Sequence, residues 1–257
     1  MNAFCRSFSI TGILCLAVAC LSFWVPASGQ TQSELYSSNF EPTPPESFPA
    51  AYADYQILPG TISPDQRFAA IYPKRSRLYA LDHYGLFLVA LKPFRILTQL
   101  PLGHSNLAEN RGCDFASNWA KDSSVFVMIA GSRWGAEKVS VVALKEGRIT
   151  GQTELTEEVR RIVQPDFKAS HAKPYNDYYE FVFTDHYSGI QVPKDEKSSG
   201  WDLDDAGHVR IECVCTTDPK GIDEKGWSVK FAGVWDIGTK CFLSKEFVRV
   251  LNKQPEP

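Results

Sequence analysis

Ser63-Pro64-Asp65-Gln66-Arg67-Phe68-Ala69-Ala70-Ile71-Tyr72 holds the pattern on which the fold turns: an acidic turn feeding directly into an apolar run. The pattern returns twice. Lys121-Asp122-Ser123-Ser124 leads into Val125-Phe126-Val127-Met128-Ile129, and Asp204-Asp205-Ala206-Gly207 leads into His208-Val209-Arg210-Ile211. Asp and Ser side chains accept hydrogen bonds from backbone N–H groups two residues on, which pins such turns. The runs that follow are short and rich in β-branched and aromatic residues, as strands are. A second echo is carried along with the first. Leu88-Val89-Ala90-Leu91-Lys92-Pro93 resembles Val141-Val142-Ala143-Leu144-Lys145-Glu146 at an offset of 53 residues, while Asp65 and Asp122 are 57 apart. Gly233-Val234-Trp235-Asp236-Ile237-Gly238-Thr239-Lys240 takes the corresponding late place in a third unit. Each unit reads as a strand, an Asp turn, a strand, a longer connection, then strand-turn-strand.

Ser63-Pro64-Asp65 with Arg67 and Ala69 resembles the turn of the propeller repeats in periplasmic Tol-type proteins, and Val234-Trp235-Asp236-Ile237 is similar to the strand end of WD-type blades. Gln66 stands where that turn carries glycine, and the second unit has Asp122-Ser123-Ser124. The resemblance implies antiparallel meanders with blade-like sheets. About three units can be traced, fewer than the roughly four to eight of a closed propeller. The expected fold is therefore all-β with one inserted helix, an incomplete or small β-propeller, with a β-sandwich as the alternative.

The helix is expected near 154–164. Leu155, Val159, Ile162 and Val163 share one face at helical spacing, with Thr153 as N-cap and Glu154, Glu157 and Glu158 at the positive end. Pro165 is expected to stop or kink it. Its expected task is to cover an open sheet face or edge.

Ahead of the β-rich domain, 51–257, lie two other segments. Residues 1–29 read as an export signal: Arg6, then an apolar run from Ile13 to Ala19 continuing through Trp24-Val25-Pro26, then Ala27-Ser28-Gly29 as the cleavage site. The alternative is Ala17-Val18-Ala19-Cys20 as a lipobox, with Cys20 acylated. Residues 30–50, with Pro42, Pro44, Pro45 and Pro49, read as a Pro-rich, disordered leader. The localisation expected is periplasmic or secreted. No later segment is long and apolar enough to span a bilayer.

Without residues 1–29 the chain has 228 residues and a net charge of −4. This weak acidic balance argues against nucleic acid and against an anionic membrane surface as partners. Cys113, Cys213, Cys215 and Cys241 remain and are disulfide candidates. Cys213 and Cys215 share a strand face, so each would seek a partner elsewhere, with Cys241 and Cys113 available.

Site candidates are weighed against plain structural roles. Asp82-His83-Tyr84 and Asp185-His186-Tyr187 place a carboxylate beside an imidazole, and they are the catalytic candidates. Adjacent strand residues point to opposite faces, so the loop reading competes. Arg133 and Trp134 form a loop pair suited to binding. Trp119, Trp201, Trp227 and Trp235 are expected to fill sheet cores. Asp202 and Asp204 with Gly207 resemble part of a calcium loop, but Ala206 and Cys213 stand where ligands belong, so a hairpin turn is expected. No nucleophile elbow, zinc helix, Walker loop or dinucleotide fingerprint occurs, and no cofactor is expected. Together these features point to an exported, non-catalytic module binding a protein or glycan of the bacterial envelope. The alternative is a secreted hydrolase with a carboxylate or His-Asp site on the inter-strand loops.

Overall fold

The computed structural model describes residues 48–74, 85–103, 114–132, 134–184, 200–222 and 225–250. Residues 1–47, with Cys20 and all of the leader except residues 48–50, lie outside them. So do Asp82, His83, Cys113, Arg133, Asp185 and His186.

Three antiparallel sheets follow one another along the chain, and none closes into a barrel. The first contains β1 (Tyr55–Ile57), β2 (Phe68–Pro73), β3 (Leu86–Leu91) and β4 (Phe94–Leu100) in sequence order. The second contains β5 (Asp114–Trp119), β6 (Val125–Ser132), β7 (Gly135–Lys145) and β8 (Arg148–Glu154), again in order. The third contains β9 (Val182–Thr184), β10 (Trp201–Leu203), β11 (His208–Thr216), β12 (Ser228–Asp236) and β13 (Cys241–Arg249). β9 pairs with residues 214–216 of β11 and β10 with residues 209–211, while β12 holds the other edge. β9 and β10 therefore lie end to end in one line. Each sheet is thus a four-place meander. The two similar segments beginning at Leu88 and Val141 occupy the third strand and following turn of their sheets, as Gly233–Lys240 does in the third.

The second sheet is the middle layer. Phe126, Met128, Val142 and Leu144 pack against Phe68, Ala70, Leu86 and Leu88 of the first sheet. Alternate residues on the same strands, Val125, Val127, Ile129, Val139 and Val141, pack against Val209, Ile211, Val229 and Phe231 of the third. Burial on both faces explains why β6 reads as an unbroken apolar run rather than an alternation. The outer face of the first sheet is covered by the short 3-10 turn Ala50–Tyr52, whose Tyr52 ring meets Tyr55, Phe87 and Phe94 at 5.3–6.2 Å.

The three Asp turns gather at one end. In the first, Ser63 Oγ donates to Asp65 Oδ1 (2.7 Å) and accepts from Phe68 N (3.0 Å), while Arg67 N donates to Asp65 Oδ1 (3.1 Å). In the second, Ser124 N donates to Asp122 Oδ1 at 3.0 Å. Gln66 and Ser123 hold the same left-handed place, at φ 59° and 62°. In the third, Asp204 Oδ1 accepts from Ala206 N (2.9 Å) and His208 N (2.8 Å), and Gly207 takes the positive φ. The first two turns close through backbone pairs five residues apart and the third through a pair four apart, so the third is one residue tighter. Neighbouring turns touch: Asp65 N donates to Ser123 Oγ (3.2 Å), and Lys121 Nζ to Asp205 Oδ2 (2.5 Å).

The helix corrects the sequence expectation. α1 spans Leu155–Ser170 rather than 154–164, and its N-cap is Glu154 rather than Thr153. The Glu154 carboxylate accepts from Thr156 N (2.9 Å) and Val139 N (3.2 Å), tying the helix start to β7. Pro165 lies inside the helix. Proline has no N–H for the Arg161 carbonyl, yet the helix continues, because the next residues are anchored. Phe167 is buried with its ring 5.7 Å from Phe181 and 5.3 Å from Trp227. Asp166 accepts from Trp227 Nε1 at 2.8 Å. Leu155, Val159 and Val163 complete the buried face, wedged between the second and third sheets.

Candidate functional site

The third sheet has one face in the core and one open. Register assigns the faces: Ile211 and Gly233 are cross-strand neighbours on the core side, with the exposed Lys245 continuing their row on the edge strand, while Arg210, Val234 and Ser244 form one outward row and Glu212, Ala232 and Glu246 the next. Ala232 and Ser244 are short and stand among longer side chains. The result is a shallow groove of ≈ 380 Å³ bordered by Arg210, Glu212, Val234 and Glu246. Strand spacing sets Glu212 and Glu246 about 10 Å apart at the backbone, on either side of Ala232. Arg210 stands opposite Asp202 of β10 at the groove's end. The groove thus offers a floor of small residues, a carboxylate on each flanking strand, and the cationic residues Arg210 and Lys245 in its lining.

Above it, His208 braces two turns. Its Nδ1 lies 3.1 Å from Asp204 Oδ2 and its Nε2 3.7 Å from Asp236 Oδ2. Asp236 also accepts from Thr239 N at 2.7 Å, closing the β12–β13 turn. Burial would raise the Asp204 carboxyl, but hydrogen bonds from His208 and Ala206 outweigh it and hold the group below the usual carboxylate range. With a carboxylate near each nitrogen, this imidazole links the β10–β11 and β12–β13 turns at the sheet end.

Among the residues singled out from sequence, Asp204 serves the hairpin turn just described and Asp202 the outer edge of β10. Among the described residues, no group of three His, Cys, Asp or Glu side chains is placed to hold a metal. Trp134 sits half-buried in the β6–β7 turn. Trp201, Trp227 and Trp235 are core residues, as expected. Trp119 donates its Nε1–H to the Thr61 carbonyl at 2.9 Å, joining the second sheet to the first.

Of the disulfide candidates, Cys113 lies outside the described residues. Cys213, Cys215 and Cys241 are free thiols. Cys213 and Cys215 point into the core opposite Phe231 and Val229, whereas Cys241 is exposed at the start of β13 opposite Asp236. Strand register holds them apart, so no pair among the three can close. Burial pushes the Cys215 thiol up, so it serves as a small apolar core residue.

Sequence reasoning missed the groove. The alternation Arg210-Ile211-Glu212 marks Arg210 and Glu212 as outward-facing, but only the pairing of β11, β12 and β13 brings them to Glu246. Neither a known protein family nor a curated protein matches this chain.

Proposed function

We propose that the protein is an exported, non-catalytic interaction module of the bacterial envelope, which takes a polypeptide bearing basic side chains on the open face of its third sheet. The observation that carries this reading is the groove over Ala232, with Glu212 and Glu246 on opposite sides. A lysine or arginine side chain laid along it would meet both carboxylates and bury its aliphatic stem against Ala232 and Val234. A sugar would gain little there, since the groove residues include no aromatic ring. Export rests on the composition of residues 1–29, with cleavage before Gln30 or acylation of Cys20 as its two forms. The blade-like reading of the three sheets is supported by the Asp turns gathered at one end and by contacts between neighbouring turns.

The test is capture from the envelope fraction of the producing cell, run in parallel with the Glu212→Lys/Glu246→Lys variant. A saturable partner that is retained by the wild type, lost by the variant and weakened by salt supports the proposal. Turnover of an ester, phosphate or glycoside panel that disappears on His83→Ala or His186→Ala would replace it with the hydrolase reading.

A further inference from the structure

Building on the groove reading above, we infer that the partner binds as an added strand. An extended segment pairs antiparallel with β13 and sends a lysine or arginine side chain across it into the gap over Ala232. β13 is nine residues long, stands at the edge of the third sheet and pairs with β12 alone among the described strands. Leu243, Phe247 and Val248 are exposed along it at 56, 41 and 64%. A long edge of this kind presents a row of backbone N–H and C=O groups and invites another strand. Extended peptides take such edges through main-chain hydrogen bonds, and their side chains supply the specificity.

The side chains of β13 define what that strand carries. Ser244, Glu246 and Val248 stand in outward rows beside Val234, Ala232 and Lys230, with Lys245 and Phe247 in the rows between. Directly opposite residues of an antiparallel pair share a face and interact. A basic residue therefore belongs opposite Glu246, an acidic one opposite Lys245, and apolar ones opposite Phe247 and Val248. Arg249 already meets Asp166 at 3.3 Å, so an uncharged polar residue suffices there. Read from its N-terminal end, the partner segment runs polar, apolar, apolar, basic, acidic, opposite residues 249 to 245 in turn. A slip of one residue moves every side chain to the other face.

Groove and edge also fit in dimension. An added strand lies about 4.8 Å outside β13, as β12 lies about 4.8 Å inside it. From a position opposite Glu246, a four-carbon lysine stem leads its ammonium over β13 toward Ala232. The short Ala232 side chain leaves the gap open, and Glu212 stands on its far side. Both carboxylates then meet the cation while the sheet edge holds the backbone. Charge complementarity selects the occupant, because a strand that delivers a cation at this one position satisfies Glu212, Glu246 and the edge together.

Binding of the peptide Thr-Val-Val-Lys-Glu-Thr to the full chain tests this. Under saturating peptide, exchange of the amides of residues 243–249 is expected to slow by about tenfold while β6 amides stay unchanged. Replacing the peptide's Lys by Glu is expected to weaken binding by about tenfold, and Glu246→Lys in the protein to reverse the preference between the two peptides. Two further peptides carry N-methyl groups on one or the other set of alternate amides. One set faces β13, so one peptide is expected to lose about tenfold or more and the other to bind as before. Equal effects of the two methylation patterns overturn the inference and leave the groove reading standing, since the Glu246→Lys reversal probes the side-chain contact without the backbone. Unchanged exchange at residues 243–249 overturns it too. So does a dimer of the protein alone that the peptide fails to dissociate, which gives the edge to a second copy.

Discussion

At the scale of single residues, the Asp turns concentrate both strain and charge. Gln66 and Ser123 share a left-handed backbone but differ in what their side chains do. A non-glycine residue there costs about 1–2 kcal/mol, and glycine returns about 0.5–1 kcal/mol of that as lost chain entropy. Gln66 is exposed, so Gln66→Gly is expected to stabilise by about 0.5–1 kcal/mol in denaturant unfolding. Ser123 is buried and accepts from Asp65 N, so Ser123→Gly should give no gain, or a loss. Asp65 brings pH into the same turn. Burial would raise its carboxyl, but hydrogen bonds from Ser63 and Arg67 outweigh that and hold it at about 2. Its folded value lies below the unfolded value of about 3.9. The stability it contributes is therefore present above about pH 4 and lost as pH falls toward 2. The denaturant midpoint of the wild type should drop across that window more than that of Asp65→Asn.

At the scale of elements, α1 shows tertiary packing overruling a local rule. A proline in a helix interior costs about 3 kcal/mol, so the chain alone suggests a helix that stops or kinks at Pro165. Phe167 and Asp166 carry it onward, because their partners Phe181 and Trp227 come from elements the sequence does not place near them. Pro165→Ala is expected to raise stability by about 1–3 kcal/mol, since Arg161 regains its bond. Asp166→Ala removes the acceptor for Trp227 Nε1 and the partner of Arg249, 3.3 Å away. A loss of about 1–2 kcal/mol is expected, read by thermal or denaturant unfolding.

At the scale of the whole molecule, stability depends on how the three sheets are joined, and Gly135 is one such joint. It lies at φ 139° in the strand entry of β7, and a Cβ there would come within 2.5 Å of the Phe183 carbonyl on β9. Gly135→Ala is expected to destabilise by about 1–3 kcal/mol and to raise exchange in β9 first. Much of the fold was legible beforehand. Asp65, Asp122 and Asp204 announce their turns through side-chain chemistry that acts within a few residues, and the runs after them declare strands. The stacking of the sheets, the length of α1, the free state of Cys213, Cys215 and Cys241, and the groove between Glu212 and Glu246 were not legible. Each joins residues from strands whose register only the folded sheet sets. Local hydrogen bonding and side-chain alternation are written into the chain itself and determined the turns and strands. Which strand edges stay open, and which charges meet across them, was decided by tertiary packing, because those contacts join segments far apart in the chain and exist only once the layers have closed.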